Sequence, residues 1–256
     1  MFFAISLGIT AIAAECGYRF GRYRKSQLEP KKEEAGSSVV GATLGLLAFL
    51  LAFTFGFAAS RYDSRREALG VEINAIQTTF LRAEFLPEPN RVKVRDSLRK
   101  YVDVRLEALS PDVSLVDVIR KSEKLQREMW KRAVEVGRGL RNPDSDLSEE
   151  MMSLFVSSLN EMFEAQAKRV AEITRGRVPT PIWIGLFVIA AVAMFSMGYE
   201  IGIAGSPRPL VGVGMIVCFA ITLWLIADLD RPRGGMIRVD HQGMIDLRAS
   251  MEEELP

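Results

Sequence analysis

Residues 39–59 read VVGATLGLLAFLLAFTFGFAA and carry no charge. A helix rises about 1.5 Å per residue, so about 20 residues cross a hydrocarbon core of about 30 Å. Two further runs, 182–199 and 210–227, are equally free of charge. The first follows Pro179 and Pro181; the second follows Pro207 and Pro209 and is closed by Asp228. Core helices of soluble domains rarely stay uncharged for so long, so these three runs read as transmembrane helices. The N-terminal run 2–14 is shorter. It has no basic n-region, and Glu15 before Cys16 fits a signal cleavage site poorly. It reads as a further transmembrane helix, continuing through Cys16, Gly17 and Tyr18. The expected fold is an all-α integral membrane protein with four transmembrane helices per subunit.

The expected segments follow. Residues 1–60 hold the first two membrane helices, about 2–20 and 39–60, joined by a polar loop over 25–38. Residues 61–178 form a helical domain in the cytoplasm. Residues 179–227 hold the last two membrane helices, and 228–256 form a cytoplasmic tail. In the central region Leu69, Ile73, Ile76 and Phe80 recur at helical spacing, so the second membrane helix continues beyond the bilayer until Leu86-Pro87-Glu88-Pro89 stops it. Val94, Leu98, Tyr101 and Leu109 mark a second helix there, and Leu115, Ile119, Leu125, Met129 and Val136 a third. Asp146, with Glu149 three residues on, reads as the N-cap of a long fourth helix.

Charge excludes several functions. Lys and Arg total 33 against 32 Asp and Glu, so no basic excess exists to bind nucleic acid. The two cysteines, Cys16 and Cys218, both lie in apolar segments, and His241 is the single histidine. Neither a zinc site nor a His-based triad can be assembled, and no Gly-rich phosphate loop is present. No metal, no cofactor and no enzymatic activity are expected.

Orientation follows from basic residues near the helix ends. One side holds Arg19, Arg22, Arg24, Lys25, Lys31, Lys32 and Arg208. The other holds a larger set, including Arg61, Arg65, Arg66, Lys168, Arg169, Arg231, Arg233 and Arg238. The central domain and both termini are therefore expected in the cytoplasm, with the protein multi-pass in the inner membrane.

The second membrane helix has two distinctive faces. Gly45, Ala48, Ala52, Gly56 and Ala59 fall together at 3.6 residues per turn and would let another helix approach closely. About a quarter turn away lie Leu46, Phe49, Phe53 and Phe57, the three phenylalanines stacked at i, i+4 and i+8. Around a symmetry axis such a ladder makes apolar rings that gate by dewetting. Facing lipid or a neighbouring helix is the alternative.

Gly56-Phe57, Tyr62-Asp63 and Glu67-Ala68 follow one another as the corresponding pairs do in the pore helix of bestrophins, and the stretch 41–76 resembles that helix. Glu15-Cys-Gly-Tyr-Arg19, the 60–75 stretch and Asp228-Leu-Asp-Arg-Pro232 resemble the bacterial bestrophin-like family. The resemblance implies a homo-oligomer, most plainly a homopentamer, conducting ions across the lipid bilayer through a neck of three apolar rings, here Phe49, Phe53 and Phe57. Animal bestrophins also bind calcium through an acidic cluster after the last membrane helix. Asp228 and Asp230 occupy that place, but Arg231 and Arg233 follow and no acidic run completes a site. Calcium takes six to eight oxygens, so a structural role is expected, with both aspartates pairing to arginines.

Glu15, Arg19 and Glu200 are expected to cluster at the non-cytoplasmic boundary, where charges near hydrocarbon pair or face water. The competing function is a non-conducting membrane scaffold or sensor whose helical domain binds a partner. A proton-driven stator would need an acid within a membrane run; none of the uncharged runs has one.

Overall fold

The computed structural model describes residues 2–27, 34–110, 112–139, 148–205 and 210–253. Among these the regular structure is helical, with no strand: α1 (Phe2–Lys25), α2 (Glu34–Arg82), α3 (Asn90–Glu107), α4 (Leu115–Gly139), α5 (Glu149–Arg175), α6 (Thr180–Ala204), α7 (Leu210–Asp230) and α8 (Gln242–Glu253), with a 3-10 turn Ala83–Phe85 after α2. Among the described residues three helices are long and apolar enough to cross a membrane: Ser38–Phe85, Thr180–Ala204 and Gly212–Asp230. Helix α1 is not among them, so a fourth crossing does not follow from length and composition.

Several boundaries differ from the sequence reading. Helix α2 begins at Glu34, so the end of the expected 25–38 loop is helical. Pro181 lies in the first turn of α6, where its missing N–H leaves no bond unmade, and does not interrupt it. The N-cap of α5 is Ser148, whose side chain accepts the N–H of Met151. That serine sits three residues before the amide it caps, which sets the helix start two residues later than the expected N-cap. Asp146 itself lies outside the described residues. The expected tail contributes α8, which was not foreseen.

The chain divides into two compact units. The first comprises Met1–Tyr62, Arg177–Arg231 and Gly235–Ile237. Its core joins Leu47, Leu51 and Ala58 of α2 with Leu186, Ala190, Ala193 and Met194 of α6 and Leu223, Ile226 and Leu229 of α7. Helices α1 and α6 meet backbone to backbone. Gly17 and Gly21 on α1 face Gly198 and Gly202 on α6, each pair one turn apart. A methyl group on Gly17 would collide with the Phe195 carbonyl, and one on Gly198 with the Ala14 carbonyl. Small residues at this four-residue spacing drive association where no hydrophobic force separates helix from lipid. Ser6, Thr10 and Ala14 complete the buried side of α1.

The second unit comprises Asp63–Gly176, Pro232–Gly234 and Arg238–Pro256. Its core interleaves Leu69, Ile76 and Phe80 with Leu98 and Tyr101 of α3, Met129 of α4, Phe155, Leu159 and Met162 of α5, and Met244, Leu247 and Met251 of α8. Helix α8 is tied down by Arg99 Nε donating to the Met251 carbonyl at 2.9 Å, and by Arg248 Nε at 2.6 Å from Asp103.

Candidate functional site

Three faces of α2 can be told apart by what covers them. Val40, Leu47, Leu51, Thr54 and Ala58 are buried within the first unit. Their spacing puts them on one side of the helix. The phenylalanine ladder lies on a second side: Phe49 is 67% exposed and Phe53 66%, with Leu46 also exposed and Phe57 half-buried. The small-residue face is the third. Gly45, Ala48, Ala52 and Gly56 are exposed and Ala59 half-buried, and nothing lies within 4 Å of a methyl placed on Gly45 or Gly56. Both faces singled out from the sequence are thus left open by the first unit over most of their length, and Phe57 packs in part against its core. The close glycine contact sits between α1 and α6 instead. Its signal, Gly17-x-x-x-Gly21 and Gly198-x-x-x-Gly202, was present in the sequence.

Large apolar side chains left two-thirds exposed on a membrane-length helix face lipid, another subunit or a lumen. One turn beyond the ladder, the guanidinium of Arg61 lies 5.0 Å from the centre of the Phe57 ring. The helix therefore passes within one turn from an apolar stripe to a fixed positive group held against it.

The boundary charges resolve into separate pairings. Arg19 Nε lies 2.8 Å from Glu15 Oε1 as an i, i+4 pair on the surface of α1. Among the described residues no ion pair joins Glu200 to either, so the direct ion pairing within the expected group is between Arg19 and Glu15. Asp228 is buried, and its Oδ2 accepts the N–H groups of Met236 and Ile237, both at 2.8 Å. Asp230 Oδ1 accepts the N–H of Val178 at 2.7 Å. Both aspartates thus bind backbone amides where arginine partners were expected. Gly235 permits the first of these turns: its φ is 99°, and a Cβ there would sit 2.6 Å from Asp228 Oδ1. No group of three or more His, Cys, Asp or Glu that could hold a metal occurs among the described residues.

The second unit contains a buried ionic cluster that the sequence reading missed. Glu72 on α2 is fully buried. It pairs with Arg105 of α3, whose Nε lies 2.8 Å from Oε1, and with Arg169 of α5 through Oε2; the Tyr101 hydroxyl donates to Oε1 at 3.2 Å. Burial pushes the Glu72 carboxyl up, but the two guanidiniums outweigh it and hold it below the ordinary carboxylate range. Burial and the adjacent carboxylate both raise the Tyr101 hydroxyl, so it stays a neutral donor. Burial followed by the positive charge of Arg169 lowers His241. No periodicity marks Glu72, because an acidic residue on a helix reads as solvated until its partners are known.

These features define a helical protein with membrane-length helices and an α-helical domain built partly on the continuation of one of them. Comparison with known proteins agrees. The Bestrophin-like domain model matches residues 7–244. The chain belongs to the Bestrophin-like family. Among solved structures, a bacterial bestrophin homolog from Klebsiella pneumoniae matches with a TM-score of 0.71 at 14% identity, over 100% of this chain and 98% of that one. A single tryptophan-to-alanine variant of the Klebsiella homolog matches at 0.68 and 15% identity, covering 98% and 94%. A structure described as a membrane protein with a glycine-to-alanine change matches at 0.70 and 14%, covering 100% and 98%. At such identity these likenesses establish the fold. No curated protein matches the sequence.

Proposed function

We propose that the chain is one subunit of an oligomeric ion channel of the bacterial inner membrane, its neck lined by Phe49, Phe53 and Phe57 of α2. The observation that carries this reading is the exposure of Phe49 and Phe53 on a membrane-length helix whose opposite side is buried. A pentamer accounts for both open faces at once. The phenylalanines line the axis, and the small face of Gly45, Ala48, Ala52, Gly56 and Ala59 receives the helix of a neighbouring subunit. Helix α1 is the fourth membrane helix in this reading, supported by its backbone contact along α6. The second unit and both termini lie in the cytoplasm. Permeating ions cross the apolar rings only when these are wetted. Purified protein in planar bilayers tests the reading: unitary currents are expected, and their absence from a reconstituted oligomer would overturn it.

One observation favours the scaffold reading. Trp130 and Val134 of α4 are exposed beside Phe163 of α5, in a groove rimmed by Arg127, Lys131 and Arg138. A silent oligomer in the bilayer experiment would turn attention to that groove.

A further inference from the structure

The last two turns of α1 carry Arg22, Arg24 and Lys25, all exposed. Among the described residues none of the three has a carboxylate partner; Arg19, a turn earlier, is neutralised by Glu15. Two exposed aromatic residues, Phe20 and Tyr23, stand among them, with Arg24 over the Phe20 ring at 5.9 Å. The sequence that follows, 28–34, holds Lys31 and Lys32 against Glu29, Glu33 and Glu34, so the positive excess belongs to the helix end itself.

The level of this patch is fixed by its neighbour. Helix α6 is a candidate membrane span that ends at Ala204, and Lys25 Nζ donates to the Ala204 carbonyl at 3.1 Å. The Gly17 and Gly21 contacts with Gly198 and Gly202 hold the preceding turns of α1 rigidly beside it. Where α6 leaves the hydrocarbon, the cations of α1 therefore emerge with it. A cation cluster flanked by Phe and Tyr at that depth meets lipid phosphates on one side and acyl chains on the other. Compensation of the helix dipole explains basic residues at a helix C-terminus. Phe20 is seated by Tyr199 of α6, with ring centres 5.8 Å apart, but dipole compensation does not explain Tyr23, 64% exposed between Arg22 and Arg24.

We propose that the C-terminal end of α1, through Arg22 and Arg24 with Phe20 and Tyr23 beside them, binds the headgroup of an anionic phospholipid. Lys25, engaged with α6, positions the end of the helix. The inference rests on α6 crossing the bilayer and is independent of ion conduction.

Native mass spectrometry of the full chain, released from detergent with equal phosphatidylglycerol and phosphatidylcholine, provides the test. The wild type should retain phosphatidylglycerol preferentially. Arg22→Gln with Arg24→Gln should lower that preference by about five-fold for each cation removed, with phosphatidylcholine retention unchanged. Raising the salt concentration on the wild type needs no variant, and the preference should fall. Equal retention of both lipids by the wild type, or an undiminished preference in the folded double variant, would overturn the proposal. So would complete displacement of the lipid by soluble glycerol phosphate, which would mark a site for free phosphate. Release of the protein from membranes by alkaline carbonate would instead overturn the membrane reading beneath it.

Discussion

The guanidinium of Arg61 stacks over the ring of Phe57, one turn further along α2, with 5.0 Å between the charge and the ring centre. The contact joins the last rung of the apolar ladder to a fixed cation. On the proposed neck of a symmetric oligomer, that cation recurs once per subunit at one mouth. A unit charge about 4 Å from a passing ion is worth about 1 kcal/mol even in water, roughly five-fold in local ion concentration. Replacing Arg61 by glutamate should move the reversal potential in an asymmetric salt gradient toward that of the cation. Replacing it by lysine should leave it near the parent value. An unshifted potential in R61E would remove Arg61 from the ion path.

The ladder itself predicts a gain of current. If Phe49, Phe53 and Phe57 line the proposed neck, replacing all three by alanine should widen and wet the lumen and raise unitary conductance from an oligomer of unchanged mass. Were the rings packed against a neighbouring helix, each truncation would cost about 2–5 kcal/mol by soluble-protein analogy and the oligomer would weaken without extra current. Mass measurement in detergent beside bilayer recording separates the two.

Two glycines should respond in opposite ways. Gly198→Ala drives a methyl into the Ala14 backbone, which cannot retreat like a flexible side chain. The expected loss is about 1–3 kcal/mol or more, seen as a lower melting temperature of the detergent-solubilised protein. Gly45→Ala meets nothing within its own chain. It should leave the melting of the subunit unchanged and loosen the oligomer, which size-exclusion chromatography reads directly.

Glu72 should be the most sensitive carboxylate in the second unit. Glu72→Gln keeps the shape but leaves the buried guanidiniums of Arg105 and Arg169 without their anion, for an expected loss of about 3–5 kcal/mol. The pH dependence follows from the depressed pKa. Such a group stabilises the folded state fully above its unfolded value, about 4.3, and loses that stabilisation as pH falls through the lower folded value. Melting temperatures between pH 7 and pH 3 should fall steeply at the acid end in the wild type. In the glutamine variant the same window should be flatter.

The membrane-length runs were legible because lack of charge over some twenty residues has one physical explanation. The stop after Phe80 was legible because Pro87 and Pro89 cannot continue a helix. The two open faces of α2 could be separated by periodicity, but which face the chain buries could not. That depends on Leu47, Leu51 and Ala58 meeting residues more than a hundred positions away. The Gly17 and Gly198 contact is encoded in two short repeats, Gly17-x-x-x-Gly21 and Gly198-x-x-x-Gly202, but periodicity alone does not pair helices so far apart in the chain. Asp228 and Asp230 were placed near arginines by proximity in sequence, whereas a backbone turn around Gly235 brought amides to Asp228 first.

The α1–α6 glycine contact also imposes a wait. Lys25 and its acceptor Ala204 are 179 residues apart. At about 5–20 residues per second, α1 spends on the order of ten seconds or more without the helix that will cover its glycines. The polar side chains of Ser6, Thr10, Glu15 and Arg19 are provided for in the meantime. The hydroxyl of Ser6 bonds to the Phe2 carbonyl, that of Thr10 to the Ser6 carbonyl, and Glu15 neutralises Arg19, all within α1. What stays open during synthesis is a bare glycine groove, shaped for one partner and of little use to any bulkier one.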